Sequence, residues 1–173
     1  DETMNMMLFL GNGLFLGIPI PVYVVAVVAI ILTFLLKKST YGRSVYAIGS
    51  NTETARMAGI NVKRVQLITF SLAGLLSGIA GLVMLSRMIS AQTNTGEGYE
   101  FEGIFASVIG GVSMAGGEGN VLGALIGALI VAILRNGLNL NGVNSFWQQV
   151  ILGILIVLVV YIDSLRTRKK SAF

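Results

Sequence analysis

Long apolar runs, separated by short charged intervals, constrain this chain more than any other feature. Crossing about 30 Å of hydrocarbon at 1.5 Å per residue takes about 20 residues of helix. Ile18 to Leu36 is apolar apart from Tyr23, Thr33 and the prolines Pro19 and Pro21, which sit at its start, where a missing N–H is tolerated. Val65 to Ser86 is a second run ending at Arg87, Val121 to Leu134 a third ending at Arg135, and Phe146 to Ile162 a last one stopping at Asp163. Charged residues make up 12% of the chain, about half the ~25% of a soluble domain, which excludes an ordinary soluble fold. The chain lacks Cys and His, which removes disulfide scaffolds and Cys/His zinc sites, and no Ser is paired with a convincing base. No metal site and no catalytic residue is therefore expected. The fold class that remains is an all-α polytopic membrane protein.

Charge placement sets the expected topology. Lys37, Lys38, Arg43, Arg56, Lys63 and Arg64 lie between the first two runs, and Arg166, Arg168, Lys169 and Lys170 close the chain, so 10 of the 12 cations mark two regions. The positive-inside rule puts both on the cytoplasmic side, the carboxyl terminus included. Asp1, Glu2, Glu97, Glu100 and Glu102 are consistent with the outer face. The net charge of +4 thus reflects sidedness and contact with anionic lipid; nucleic-acid binding would need a basic patch interleaved with aromatics, which is absent.

One apolar segment, Phe101 to Val112, is short. Twelve residues give about 18 Å of helix, which by length suggests a re-entrant loop. Parity points the other way: two cytoplasmic regions must be joined by an even number of crossings, and the three longer runs between Arg64 and Arg166 are odd. A short or broken fourth helix is expected here, with Gly110 to Gly123 at the inner side, giving about five spans in all. Gly74, Ser77, Gly78 and Gly81 in the second run, and Gly123, Ala124, Gly127, Ala128 and Ala132 in the third, are spaced to let neighbouring helices approach closely. The stretch Gly117-Glu118-Gly119-Asn120-Val121-Leu122-Gly123 has a nucleotide-loop flavour. Its third glycine comes one place late, no strand precedes it and no Gly-Lys-Ser/Thr follows, so it reads as a helix connection.

The interval over 37–64 carries more information. Asn51 can cap a short helix, Glu53 suits its first turn, and Gly59 can end it. Ala55, Met57, Ala58 and Ile60 would then be exposed, a pattern suited to docking into a partner's groove; the alternative is a solvated connection with no partner.

The run from Tyr41 to Gly59 resembles the cytoplasmic coupling region of bacterial ABC importer permeases of the ribose, galactose and autoinducer type. Glu53-Thr54-Ala55-Arg56-Met57-Ala58-Gly59 is similar to that family's Glu-Ala-Ala-x-x-x-Gly loop, with Thr54 where alanine is frequent. Gly11-Asn12-Gly13 with Gly17-Ile18-Pro19-Ile20-Pro21, Gly110 to Gly117, Asn136-Gly137-Leu138-Asn139 and Ser145-Phe146-Trp147-Gln148-Gln149 look like the same family, so the resemblance covers nearly the whole chain.

The resemblance implies a permease of about ten spans in the bacterial inner membrane. This chain, which starts at Asp1 without an initiator Met, would be the carboxyl-terminal half: one transmembrane domain over 1–173 with a cytoplasmic coupling loop at 37–64. The implied partners are ABC ATPase subunits, a second permease subunit, and a periplasmic or lipid-anchored solute-binding protein. ATP would be used by the ATPase and no cofactor held by this chain. Asn51, Glu53, Ala55, Arg56 and Gly59 would couple to the ATPase, with Arg56 pairing with an acid there. The solute would be a sugar or sugar-like molecule. Polar and aromatic groups near the outer ends of the spans are candidates for its path: Gln92, Asn94, Asn136, Asn139, Asn144, Gln148 and Gln149, with Phe146 and Trp147. The bland alternatives are helix caps for the amides and interfacial anchoring for Trp147. Arg87 and Arg135 are expected to pair with the acids near Glu97 or to meet headgroups. A passive channel or facilitator would share the spans without needing a docking loop, and a truncated, non-functional permease fragment is a third reading.

Overall fold

A computed structural model of the chain describes residues 11–88, 96 and 98–170. The chain divides into two compact units, one from residues 1–48 and 52–96, the other from 49–51 and 97–173.

The first unit opens with a small antiparallel hairpin, β1 (Leu14–Phe15) and β2 (Ile18–Pro19), in which Leu14 faces Pro19 and Phe15 faces Ile18. Leu16 and Gly17 have φ of 52° and 79°, the positive values of a two-residue turn that matches strand twist. Tyr23 fastens the hairpin to the first helix: its hydroxyl donates to the Phe15 carbonyl at 3.1 Å, and the two rings meet edge to face. That helix, α1 (Ile20–Lys38), has proline at its start and Lys37 and Lys38 in its last turn, where cations favour the carbonyl end. Ser39 separates it from α2 (Thr40–Ser50) and caps the latter by accepting from Gly42 N–H at 3.0 Å. Next come the short α3 (Thr52–Met57) and the long α4 (Val62–Met88), capped by Asn61, whose Oδ1 accepts from Arg64 N–H at 3.1 Å. Thr69 Oγ1 donates to the Val65 carbonyl, so Tyr41 is the donor in the 2.7 Å hydroxyl pair that ties α2 to α4.

The second unit is a helical hairpin with a third helix against it. α5 (Tyr99–Ile109) runs antiparallel to α6 (Val121–Leu140), and α7 (Ser145–Lys170) follows after a tight turn. Gly127 lies against the Ala106 carbonyl and Gly123 against Gly110, leaving no room for a Cβ at either of these two positions of α6. Around that contact Ala106 and Val131 are buried, flanked by Phe105, Ile109 and Leu134. Asn120 caps α6, accepting from Gly123 N–H at 2.6 Å.

Three helices end in the same way. Gly59, Gly111 and Gly142 each have positive φ. In each case the next residue, Ile60, Val112 or Val143, donates its N–H five residues back, to Ala55, Ser107 or Leu138. This is the Schellman closure, which satisfies otherwise orphaned carbonyls and needs a residue tolerant of the left-handed region.

The all-α polytopic expectation holds. Ile20–Lys38, Val62–Met88 and Val121–Leu140 are each long and apolar enough to cross a membrane, and Phe146–Tyr161 supplies a further apolar stretch within α7. The short segment forms one unbroken helix of 11 residues, about 16 Å long, ended by its glycine turn. Large apolar side chains such as Ile30, Phe34, Phe70, Leu82 and Ile133 point outward, as lipid-facing or helix-facing surfaces do. The packing expectation is met on α6. On α4, a Cβ at Gly74, Gly78 or Gly81 would meet nothing within 4 Å among the described residues, so that small-residue face stands open there while Gly123 and Gly127 are covered. The spacing is the same in both helices; the hairpin supplies the neighbour for α6.

Candidate coupling helix and polar path

The coupling candidates gather on and around α3. Glu53 stands in its first turn and Arg56 in its last, and the two side chains pair with each other at 3.1 Å. Both are well exposed, so the pair contributes little to stability. The expected pairing of Arg56 with an outside acid is thus met first by its own helix, because i,i+3 neighbours share a face. Asn51 is exposed just before the helix, and Gly59 closes it at φ 81°. Ala55 corrects the expectation of an exposed position: it is 3% exposed, on the inner side of α3, whereas Met57 is 84% exposed and Ala58 is exposed as well. Ala55 is thus the one position of this short helix that falls on its buried side. The outward surface is therefore Glu53, Arg56, Met57 and Ala58.

Helix α2, Thr40–Ser50, went unread in the sequence. Its signal was Ser39 as a cap followed by Tyr41, Val45 and Ile48 at helical spacing.

The path candidates fall into groups. Gln92 and Asn94 lie outside the described residues. Asn139 and Gln148 come together: Gln148 Nε2 donates to Asn139 Oδ1 and to the Val143 carbonyl, and Gln148 is only 4% exposed. Gln148 is thus committed to the α6–α7 turn. Asn136, on α6, and Phe146 and Trp147, in the first turn of α7, are exposed, and Asn144 accepts from Phe146 N–H at 3.2 Å as a helix cap.

Glu102 is the residue that Arg135 finds. Arg135 Nη1 pairs with Glu102 Oε1, and the Arg135 Cζ lies 5.9 Å from the Tyr99 ring centroid. A charge inside an apolar helix calls for a counter-ion, which pointed to the nearby acids. Choosing Glu102, and finding Tyr99, needed the antiparallel register that sets Ala106 against Gly127. Among the described residues no group of acids could hold a metal.

A set of membrane-length helices and a short helix folded back on a glycine-rich one define a polytopic membrane protein, which also carries an exposed helix of one and a half turns. The chain belongs to the family described as the branched-chain amino acid transport system / permease component, which matches residues 2–160. It is 50% identical over 162 residues to the ribose import permease protein of Bacillus subtilis, covering 94% of this chain and 49% of that protein. It is 42% identical over 163 residues to the ribose import permease protein of Escherichia coli, covering 94% and 51%. With the xylose transport system permease protein of Haemophilus influenzae it shares 46% identity over 153 residues, covering 88% and 41%. The chain thus spans about half the length of the curated relatives it matches. No solved structure gives a significant match.

Proposed function

We propose that the chain serves as a permease subunit of an ATP-driven importer, passing a sugar or sugar-like solute across the bacterial inner membrane, with its carboxyl terminus in the cytoplasm. The observation that carries this reading is α3. Its closing turn at Gly59 fixes a helix too short to be stable alone, and that helix holds Met57 and Ala58 outward rather than burying them. A free connection gains nothing from that arrangement; a partner with an apolar groove does. The similarity to ribose and xylose permeases supports the sugar assignment.

The mechanism follows from the parts. ATPase subunits in the cytoplasm close on ATP, and α3, docked in them, moves with them. The spans of this subunit and of a second permease subunit rock so that the path opens on one side and closes on the other. A periplasmic or lipid-anchored binding protein delivers the solute. This chain does no covalent chemistry, and ATP is used by the partner. Asn51, Glu53, Arg56, Met57 and Gly59 form or hold the docking surface, with Ala55 seating it.

The test is co-expression of the full permease with a candidate ATPase in proteoliposomes. Solute-stimulated ATP hydrolysis is expected, together with ATP-dependent accumulation of D-ribose. Equilibration of D-ribose without ATP, and without effect on the ATPase, would establish a passive facilitator instead.

A further inference from the structure

The second unit contains one charged pair that neither the docking role nor the turn at Gln148 uses. Arg135 stands at the fifteenth position of the 20-residue α6, about 21 Å from its start. Glu102 lies at the beginning of α5, where the helix amino end favours a carboxylate, and Tyr99 is three residues before it. The Arg135 and Glu102 side chains are 37% and 29% exposed, so the pair is neither sealed in a core nor free on a surface. In a helix of this apolarity an open charged side does not face lipid; it faces the bundle interior or water. The hairpin does not depend on the pair to stay closed, since its backbones already touch at Gly110, Gly123 and Gly127. The bridge runs from Nη1 to Oε1, whereas a guanidinium has five N–H donors and a carboxylate about four acceptor positions. Much of the recognition capacity of both groups therefore exceeds what one bridge consumes.

We propose that Tyr99, Glu102 and Arg135 form a solute-contacting site in the translocation path, taking a neutral polyhydroxylated molecule whose neighbouring hydroxyls bridge the carboxylate and the guanidinium. The site rests on the permease reading above. A hydroxyl donates to the carboxylate and accepts from the guanidinium at once, so it joins the pair without breaking it. An anion or a zwitterion would have to displace one member. Tyr99, a residue 45% exposed with Arg135 over its ring, offers an aromatic surface to the C–H side of a sugar ring. Such contacts exchange readily with water, as passage requires.

The experiment measures D-ribose uptake and ATP hydrolysis by the full permease assembled with its ATPase in proteoliposomes, for wild type, Glu102→Gln, Arg135→Gln and the exchanged pair Glu102→Arg/Arg135→Glu. Each single variant should raise the KM for D-ribose about tenfold or more, the loss of a charged hydrogen bond, with basal ATP hydrolysis retained. The exchanged pair keeps an ion pair between the two helices but should keep the raised KM because the donor and acceptor have traded places. Wild-type KM in the exchanged pair would reduce Glu102 and Arg135 to a helix staple and overturn the site, as would unchanged KM in the single variants. A wild-type protein that accumulates leucine but no D-ribose would overturn the sugar reading itself, and with it the neutral ligand assigned to this site.

Discussion

Gln148 donates its side-chain amide to Asn139 Oδ1 and to the Val143 carbonyl, both at 2.7 Å, and so binds the first turn of α7 to the last turn of α6. The amide is buried, at 4% exposure, so its two bonds fix how α7 leaves the turn, and removing it takes that donor from both acceptors.

Gln148→Glu should therefore be worse than Gln148→Leu. The carboxylate sets an acceptor against two acceptors, while leucine only removes the bonds, at about 1–2 kcal/mol. Thermal denaturation of the purified permease in detergent is expected to rank wild type above Gln148→Leu above Gln148→Glu. Equal midpoints for all three would show that the turn is held by something else.

The two glycine-rich helices should respond oppositely to added methyl groups. Gly127→Ala drives a Cβ into the Ala106 carbonyl and should destabilise the hairpin by about 1–3 kcal/mol. Gly78→Ala meets open space among the described residues, and alanine's higher helix propensity should leave stability equal or better by up to about 1 kcal/mol. Denaturation midpoints in detergent distinguish the two. A loss at Gly78→Ala seen only in the assembled permease would place another helix on that face of α4.

At Gly59 the backbone conformation is the issue, with φ at 81°. Gly59→Ala should cost about 1–2 kcal/mol locally, and Gly59→Arg adds a large charge beside Met57 and Ala58. Membrane insertion should be intact in both. In Gly59→Arg, ATP hydrolysis should continue while D-ribose uptake fails. Normal uptake in that variant would remove α3 from the coupling role.

Cysteines placed singly at Ser113 and Asn94 report whether α5 crosses the membrane. Membrane-impermeant maleimide added to whole cells or to inverted vesicles should label them from opposite sides. Labelling of both from outside would make α5 a re-entrant helix and shift the assignment of every later segment.

Much of this architecture was legible in the sequence, for identifiable reasons. The spans declare themselves because an apolar run of bilayer length has few other uses, and the end of α3 was legible because Gly59 has a conformational reason to be glycine. The same signature, a glycine followed by Ile or Val, recurs at Gly111 and Gly142 and could have fixed the ends of α5 and α6. What was not legible depended on partners distant in sequence. Ala55 reads as exposed in a short polar helix, and its burial depends on the fold around it. Gly78 and Gly127 look alike until one acquires a neighbour and the other does not. Arg135 asked for a counter-ion, but choosing Glu102 needed the register of the hairpin. The turn at Leu16 and Gly17 carries little sequence signal because leucine is an unusual occupant of a left-handed position.

The contact between Gly127 and the Ala106 carbonyl has a mechanical meaning. Side chains between helices can change rotamer and let them slide; two backbones in direct contact have no such freedom. The α5–α6 hairpin should therefore behave as a single stiff rod, with hinges at its ends rather than within it. Spin labels on the outer faces of α5 and α6, for instance at Ile104 and Leu129, should keep one fixed separation through the whole ATP cycle. That constancy would make the pair a built-in ruler, against which the displacement of every other span can be measured.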